Sequence, residues 1–148
     1  MLTHLAIVLA LLAGVVALAA DTGSAVIVNS GSTNTAGFKI VVPKNGSAEY
    51  TSTPRPHRAP EDQADRTPAQ RRLDPALVQR FYSDLEAARP FSDLPTPHCM
   101  KSASFGSRLT IQLNGEETPD LSCPVGQNSK LSALAQDAKD IVAAFQAK

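Results

Sequence analysis

Two Asn-Gly dipeptides constrain this chain more than any other feature. Asn45-Gly46 follows Phe38, Ile40 and Val42, which alternate with Lys39, Val41 and Pro43. Asn114-Gly115 follows Phe105, Leu109, Ile111 and Leu113, all at even spacing. Both residues of an Asn-Gly pair tolerate φ > 0, the backbone that a two-residue hairpin turn needs if its twist is to match the flanking strands. Alternation places the apolar set on one face of each strand and puts Lys39, Val41, Arg108, Thr110 and Gln112 on the other. The return strands fall over residues 47–51 and 116–123. A strict two-residue turn pairs Leu113 with Glu116 and Arg108 with Leu121, which turns Leu121 to the wrong face. A bulge near Pro119, or an edge position, is therefore expected. Ala25-Val26-Ile27-Val28 is a β-branched run that reads as one further strand.

Two amphipathic helices supply the cover that such strands require. Asp74-Pro75 opens the first, Asp as the cap and Pro at the position where its missing N–H costs nothing. Leu73 and Val78 are spaced as a hydrophobic staple. Leu77, Phe81, Leu85 and Ala88 recur at helical spacing, and Pro90 ends the run. The second helix begins at about Ser129. Its apolar stripe holds Leu131, Leu134, Ala135, Ala138, Ile141, Val142 and Phe145, with Asp137 and Asp140 outside it. Hairpins rather than crossovers mean α+β: a small antiparallel sheet of three to five strands with both helices packed on one face.

Composition sets the size of this unit. Of 148 residues 43% are apolar, but 17 of these lie in the first 20, so the rest has apolar residues for one small domain. That leading stretch, with an apolar run from Leu5 to Ala13 and Ala17-Leu18-Ala19 as a small-x-small cleavage pattern, reads as a signal peptide over residues 1–20. It lacks Lys and Arg, and an uncleaved N-terminal membrane anchor is the alternative. No cysteine follows it, which excludes lipid attachment to a new N-terminal Cys. The expected location is secreted or periplasmic, with no membrane association after cleavage. Residues 21–148 then form a single domain, interrupted by a segment at about 51–72 with four Pro, five Arg and none of Leu, Ile, Val, Phe, Met or Tyr. Burying it would gain too little to offset ordering entropy, so a flexible linker is expected there.

Cys99 and Cys123 are the only cysteines. In an exported chain an even pair is most simply a disulfide, here closing a loop around the second hairpin. The sharper alternative makes His98 and Cys99 a base and thiol nucleophile, but adjacent residues rarely aim at one another well enough for that. There is no P-loop, G-x-S-x-G, H-E-x-x-H or G-x-G-x-x-G motif, and the three histidines have no metal-ligand spacing. No cofactor and no metal are expected. Zero net charge and the absence of Trp argue against a nucleic-acid partner. Two small polar clusters remain as possible contacts for a ligand or partner. The first is the loop from Ser30 to Thr35, with Ser32, Thr33 and Asn34 at its centre. The second runs from Lys101 to Ser107, where Lys101, Ser102 and Ser104 could hold an anion beside the bridge.

The segments Asn29 to Val42, Lys101 to Gly106, and Asn114-Gly115 through Pro124 resemble a group of small exported bacterial proteins of no assigned activity. The order hairpin, helix, Asn-Gly hairpin, closing helix is similar to a broader domain of unknown function. That resemblance implies the same α+β fold and carries over no catalytic or binding residue. The expected function is a non-catalytic exported module that binds a protein, an envelope component or a small molecule. The alternative is a small extracytoplasmic enzyme, a hydrolase or thiol redox protein, using His98, Cys99 or the serine-rich loops.

Overall fold

A computed structural model of the chain describes residues 23–53 and 68–147; the leading segment read as an export signal lies outside them. The elements run β1 (Ala25–Asn29), β2 (Gly37–Val42), β3 (Ser47–Thr53), β4 (Ala69–Arg72), α1 (Pro75–Ala88), β5 (Leu109–Leu113), β6 (Glu116–Glu117) and α2 (Ser129–Gln146), with one 3-10 turn at Phe91–Asp93. The fold is α+β. Its strands form one antiparallel sheet in the order β4-β3-β2-β1-β5-β6, and the two helices pack against each other on one of its faces.

Six strands stand where three to five were expected, and the additional one corrects the linker. The segment 51–72 starts inside β3, which continues to Thr53, and ends in β4, which pairs Ala69–Arg72 with Tyr50–Ser47. All four β4 residues are exposed. An edge strand is held by backbone hydrogen bonds and needs no apolar side chain, so hydropathy could not reveal it. Only residues 54–67 of that segment lie outside the description.

The first hairpin also departs from its expected turn. Gly46 alone has positive φ (79°), and its amide donates to the Pro43 carbonyl, closing a four-residue turn. The extra residue changes the register: Ile40 opposes Tyr50 and Val41 opposes Glu49. A two-residue turn would have set Ile40 against Thr51 and sent Tyr50 and Ala48 to the solvent face. Instead Ala48 is fully buried, and Tyr50 stacks between Phe38 and Phe145 at ring distances of 5.4 and 5.7 Å. The second hairpin keeps the tight form, with φ of 51° at Asn114 and 82° at Gly115, and pairs Leu113 with Glu116. Beyond it Thr118 donates to the Ile111 carbonyl and Leu121 to that of Leu109. One residue too many lies between those two rungs, a bulge that turns Leu121 into the core.

The core lies between the sheet and the helices. Ile27, Ile40, Val42 and Ile111 from the sheet meet Phe81 and Leu85 from α1 and Leu131, Leu134 and Ile141 from α2. The Asp74 carboxylate accepts the Ala76 and Leu77 amides, Asn128 caps α2 through the Leu131 amide, and the staple residues Leu73 and Val78 are buried. Two expectations fail here. Phe105 does not join the inner face: β5 begins only at Leu109, since β1 ends at Asn29 and a loop, not a strand, lies beside Ser104, and Phe105 is 70% exposed. Asp137, expected on the solvent side of α2, is 1% exposed because α1 packs over it.

Candidate functional site

Cys99 and Cys123 are joined in a disulfide with Cα atoms 5.6 Å apart. Neither sulfur is then a thiol, so the His98–Cys99 alternative has no nucleophile while the bond is intact, and His98 is exposed beside it.

The structure brings the two polar loops together. Ser32 Oγ donates to the Ser104 carbonyl at 2.8 Å, Thr33 Oγ1 to that of Ala103 at 3.1 Å, and the Asn34 amide to Ser104 at 3.0 Å. Ser102 Oγ accepts the Ser104 amide. The Lys101 ammonium contacts the Asp120 carboxylate, the Ser122 hydroxyl and the Ser107 carbonyl. An ammonium has three protons, and these partners account for all of them. The Ser32 and Thr33 hydroxyls and the Asn34 amide thus fasten the loop that follows Cys99 to the loop after β1.

Asp120 is the centre of that fastening. Burial opposes its charge, yet hydrogen bonds from Lys101, Ser122 and the Leu109 and Ser122 amides hold its carboxyl down at about 2. A carboxyl lowered on folding stabilises the protein above its ordinary value and loses that contribution as pH falls through the folded one. From 3.8 to about 2 this amounts to about 2 kcal/mol at neutral pH. Acid unfolding followed by circular dichroism should show Asp120→Asn less stable than the parent by about that amount at pH 6, and the difference should vanish near pH 2.

A concavity lies elsewhere, where no sequence motif pointed. A cleft of about 430 Å³ opens between the first hairpin turn, the end of β4 and the start of α1, a volume typical of small-molecule sites. Leu73, Pro75, Val78 and the Tyr82 ring form its apolar floor, with Lys44 and Arg72 among its lining residues. The Lys44 ammonium lies 5.4 Å from the centre of the Tyr82 ring, within cation–π range. Among the described residues no carboxylate lines the cleft.

Each wall has a local cause. Gly46 has the positive φ its turn demands, and its carbonyl accepts the Leu73 amide at 2.9 Å, which ties the hairpin to the end of β4. Leu73 and Val78 are the staple that sets the angle at which the chain enters α1. Tyr82 is anchored from behind: its hydroxyl accepts the Ala25 amide at 2.9 Å and donates to the Val42 carbonyl at 2.6 Å. Asp74, between the lining residues Leu73 and Pro75, turns its carboxylate to the α1 amides. The cleft was illegible beforehand because its parts come from three elements. The one available signal was the Leu73–Val78 staple next to the Asn45-Gly46 turn.

The chain matches no family model, no curated protein and no solved structure. Among the described residues no group of three or more His, Cys, Asp or Glu side chains gathers as a metal site would require, and no helix is long and apolar enough to cross a membrane.

Proposed function

We propose that this protein is an exported, non-catalytic binding module whose ligand is an amphiphilic anion, held in the cleft between Lys44 and Arg72. The observation that carries this reading is the composition of the cleft: among its described lining residues are Lys44 and Arg72 and no carboxylate, beside Leu73, Pro75, Val78 and the Tyr82 ring. A carboxylate attached to an apolar body satisfies both parts at once, and apolar contact supplies the affinity while the cations fix orientation. Export is supported by the leading apolar stretch with its Ala-rich end and by the disulfide, which forms and persists in oxidising compartments.

The test is calorimetric titration of the chain from Asp21 onward with decanoate and with decanol. Decanoate should bind more tightly, by about tenfold at low salt, with the difference shrinking as salt rises. Lys44→Glu and Arg72→Glu should each weaken decanoate by about tenfold and leave decanol unchanged. Equal affinity for the two ligands, or charge reversal without effect, would overturn the proposal.

A further inference from the structure

We propose that the occupant of this cleft is the carboxyl-terminal end of an extended peptide, which adds as a strand to the edge of β4 that no other described strand pairs, and seats its last side chain and carboxylate between Lys44 and Arg72. The inference rests on the reading of the cleft just given and names the partner.

The edge comes first. β4 is the outermost strand of the sheet on its side. The hydrogen bond from the Leu73 amide to the Gly46 carbonyl sets the phase of the β3–β4 ladder. Residues of the same parity, Arg71 and Ala69, turn their amides toward Ala48 and Tyr50. Gln70 and Arg72 therefore turn their N–H and C=O groups away from the sheet, and β4 is exposed along its whole length. Backbone groups set out in this way are a template for another strand, and pairing with them needs no particular side chain.

Charge selects the partner. β4 reads Ala-Gln-Arg-Arg, so a second copy centred on Arg71 or Arg72 would lay arginine opposite arginine across an antiparallel pair, which is destabilising. An acidic strand meets no such penalty. A smaller cleft of about 160 Å³, lined by Ser47, Gln70, Arg71 and Arg72, lies along β4 and shares Arg72 with the larger one. The edge and the cleft thus meet at Arg72.

The same charges set direction. β4 runs toward Leu73, so the cleft lies at its carboxyl-terminal end. A peptide running antiparallel would bring its amino terminus to Lys44 and Arg72, cation against cation. One running parallel brings its carboxylate there, with the final side chain over Leu73 and Val78. Parallel pairing over Gln70 and Arg72 gives slanted, evenly spaced hydrogen bonds.

The probe is a hexapeptide of alternating valine and glutamate ending in leucine with a free carboxylate, followed by fluorescence anisotropy on the chain from Asp21 onward. It should bind at least tenfold more tightly than decanoate, and amidation of its carboxylate should cost about tenfold. N-methylation of the amides that face β4 should weaken it by a further tenfold or so. Gln70→Pro removes an outward N–H while leaving the β3 ladder intact. It should lower peptide affinity about fivefold without changing decanoate affinity. Decanoate binding with no advantage for the peptide, or with indifference to N-methylation, overturns the strand proposal and leaves the cleft reading standing. Equal binding of the amidated peptide overturns the direction. If neither probe binds, both readings fail.

Discussion

Reducing the Cys99–Cys123 bond is expected to lower the free energy of unfolding by about 3.5 kcal/mol, from the loop entropy released on opening a loop of 24 residues' separation. Small domains have only about 5–15 kcal/mol in total, so a cut of this size brings a chain of this length close to the point where unfolded molecules accumulate. The loss should not be uniform over the fold. The bond ties the segment after the 3-10 turn to the end of the bulged return strand, and the loops it anchors carry the Ser32–Ser104 and Lys101–Asp120 contacts. Hydrogen exchange on the reduced protein should show amides over residues 99–108 and 118–123 losing protection first, with β1–β2 and the helix pair retaining theirs. Urea unfolding with and without reductant gives the magnitude. A Cys99→Ser/Cys123→Ser variant should reproduce it. A reduced protein whose urea midpoint is unchanged would show that the bridge contributes nothing beyond the packing around it.

Replacing Arg80 with alanine should lower the unfolding temperature at neutral pH, because it strips the enclosed Asp137 carboxylate of its counter-ion. Arg80 Nε donates to Asp137 Oδ1 at 2.7 Å and Nη2 to Asp140 Oδ2 at 2.5 Å, linking α1 to α2. Asp137 is fully enclosed, and its Oδ2 has no hydrogen-bond partner among the described residues. Burial pushes its carboxyl above the usual range, the neighbouring Asp84 adds to that, and Arg80 works against both. A carboxyl raised on folding contributes its stability below the ordinary pKa and loses it as pH rises through the folded value. The penalty of Arg80→Ala should therefore be largest at pH 7 and small near pH 4, where Asp137 takes up a proton. Adding Asp137→Leu to Arg80→Ala should recover most of the loss, since an apolar side chain among helix contacts carries no desolvation cost. Thermal unfolding of the three variants at the two pH values decides it. A penalty for Arg80→Ala that does not depend on pH would mean that the arginine acts through its packing and not through the charge on Asp137.

How much of this molecule could be read in advance differs from element to element. Asp74 and Asn128 as caps, and Leu73 with Val78 as a staple, involve neighbours within a few residues, and such local geometry follows from residue type. The tight Asn114-Gly115 turn follows for the same reason. The bulge before Leu121 was legible because a leucine at an outward position signals a register change. The disulfide followed from a pair of cysteines in a chain that carries an export-like leader.

What failed to be legible is of one kind. The Asn45-Gly46 turn could close with two residues or with one more, and the choice fell to Ala48, which is buried, and Tyr50, which packs against the core, only in the longer form. β4 carries no hydrophobic signal because its pairing energy comes from the backbone of β3. Asp137 lies outside the apolar stripe of its own helix, and what buries it is a neighbouring helix. That Ser32, Thr33 and Asn34 would meet the loop of Lys101, Ser102 and Ser104 was likewise unreadable, because the two loops lie some seventy residues apart in the chain. The sequence by itself determined the antiparallel α+β class, the helix boundaries, the caps and the cysteine pairing, because each depends on residues close in the chain or on chemistry with one partner. Only the tertiary structure decided the register of the first hairpin, the edge strand, the buried charge and the cleft at Lys44 and Arg72, because each is created where elements distant in the chain come to share one surface, and local propensity carries no information about who the neighbour will be.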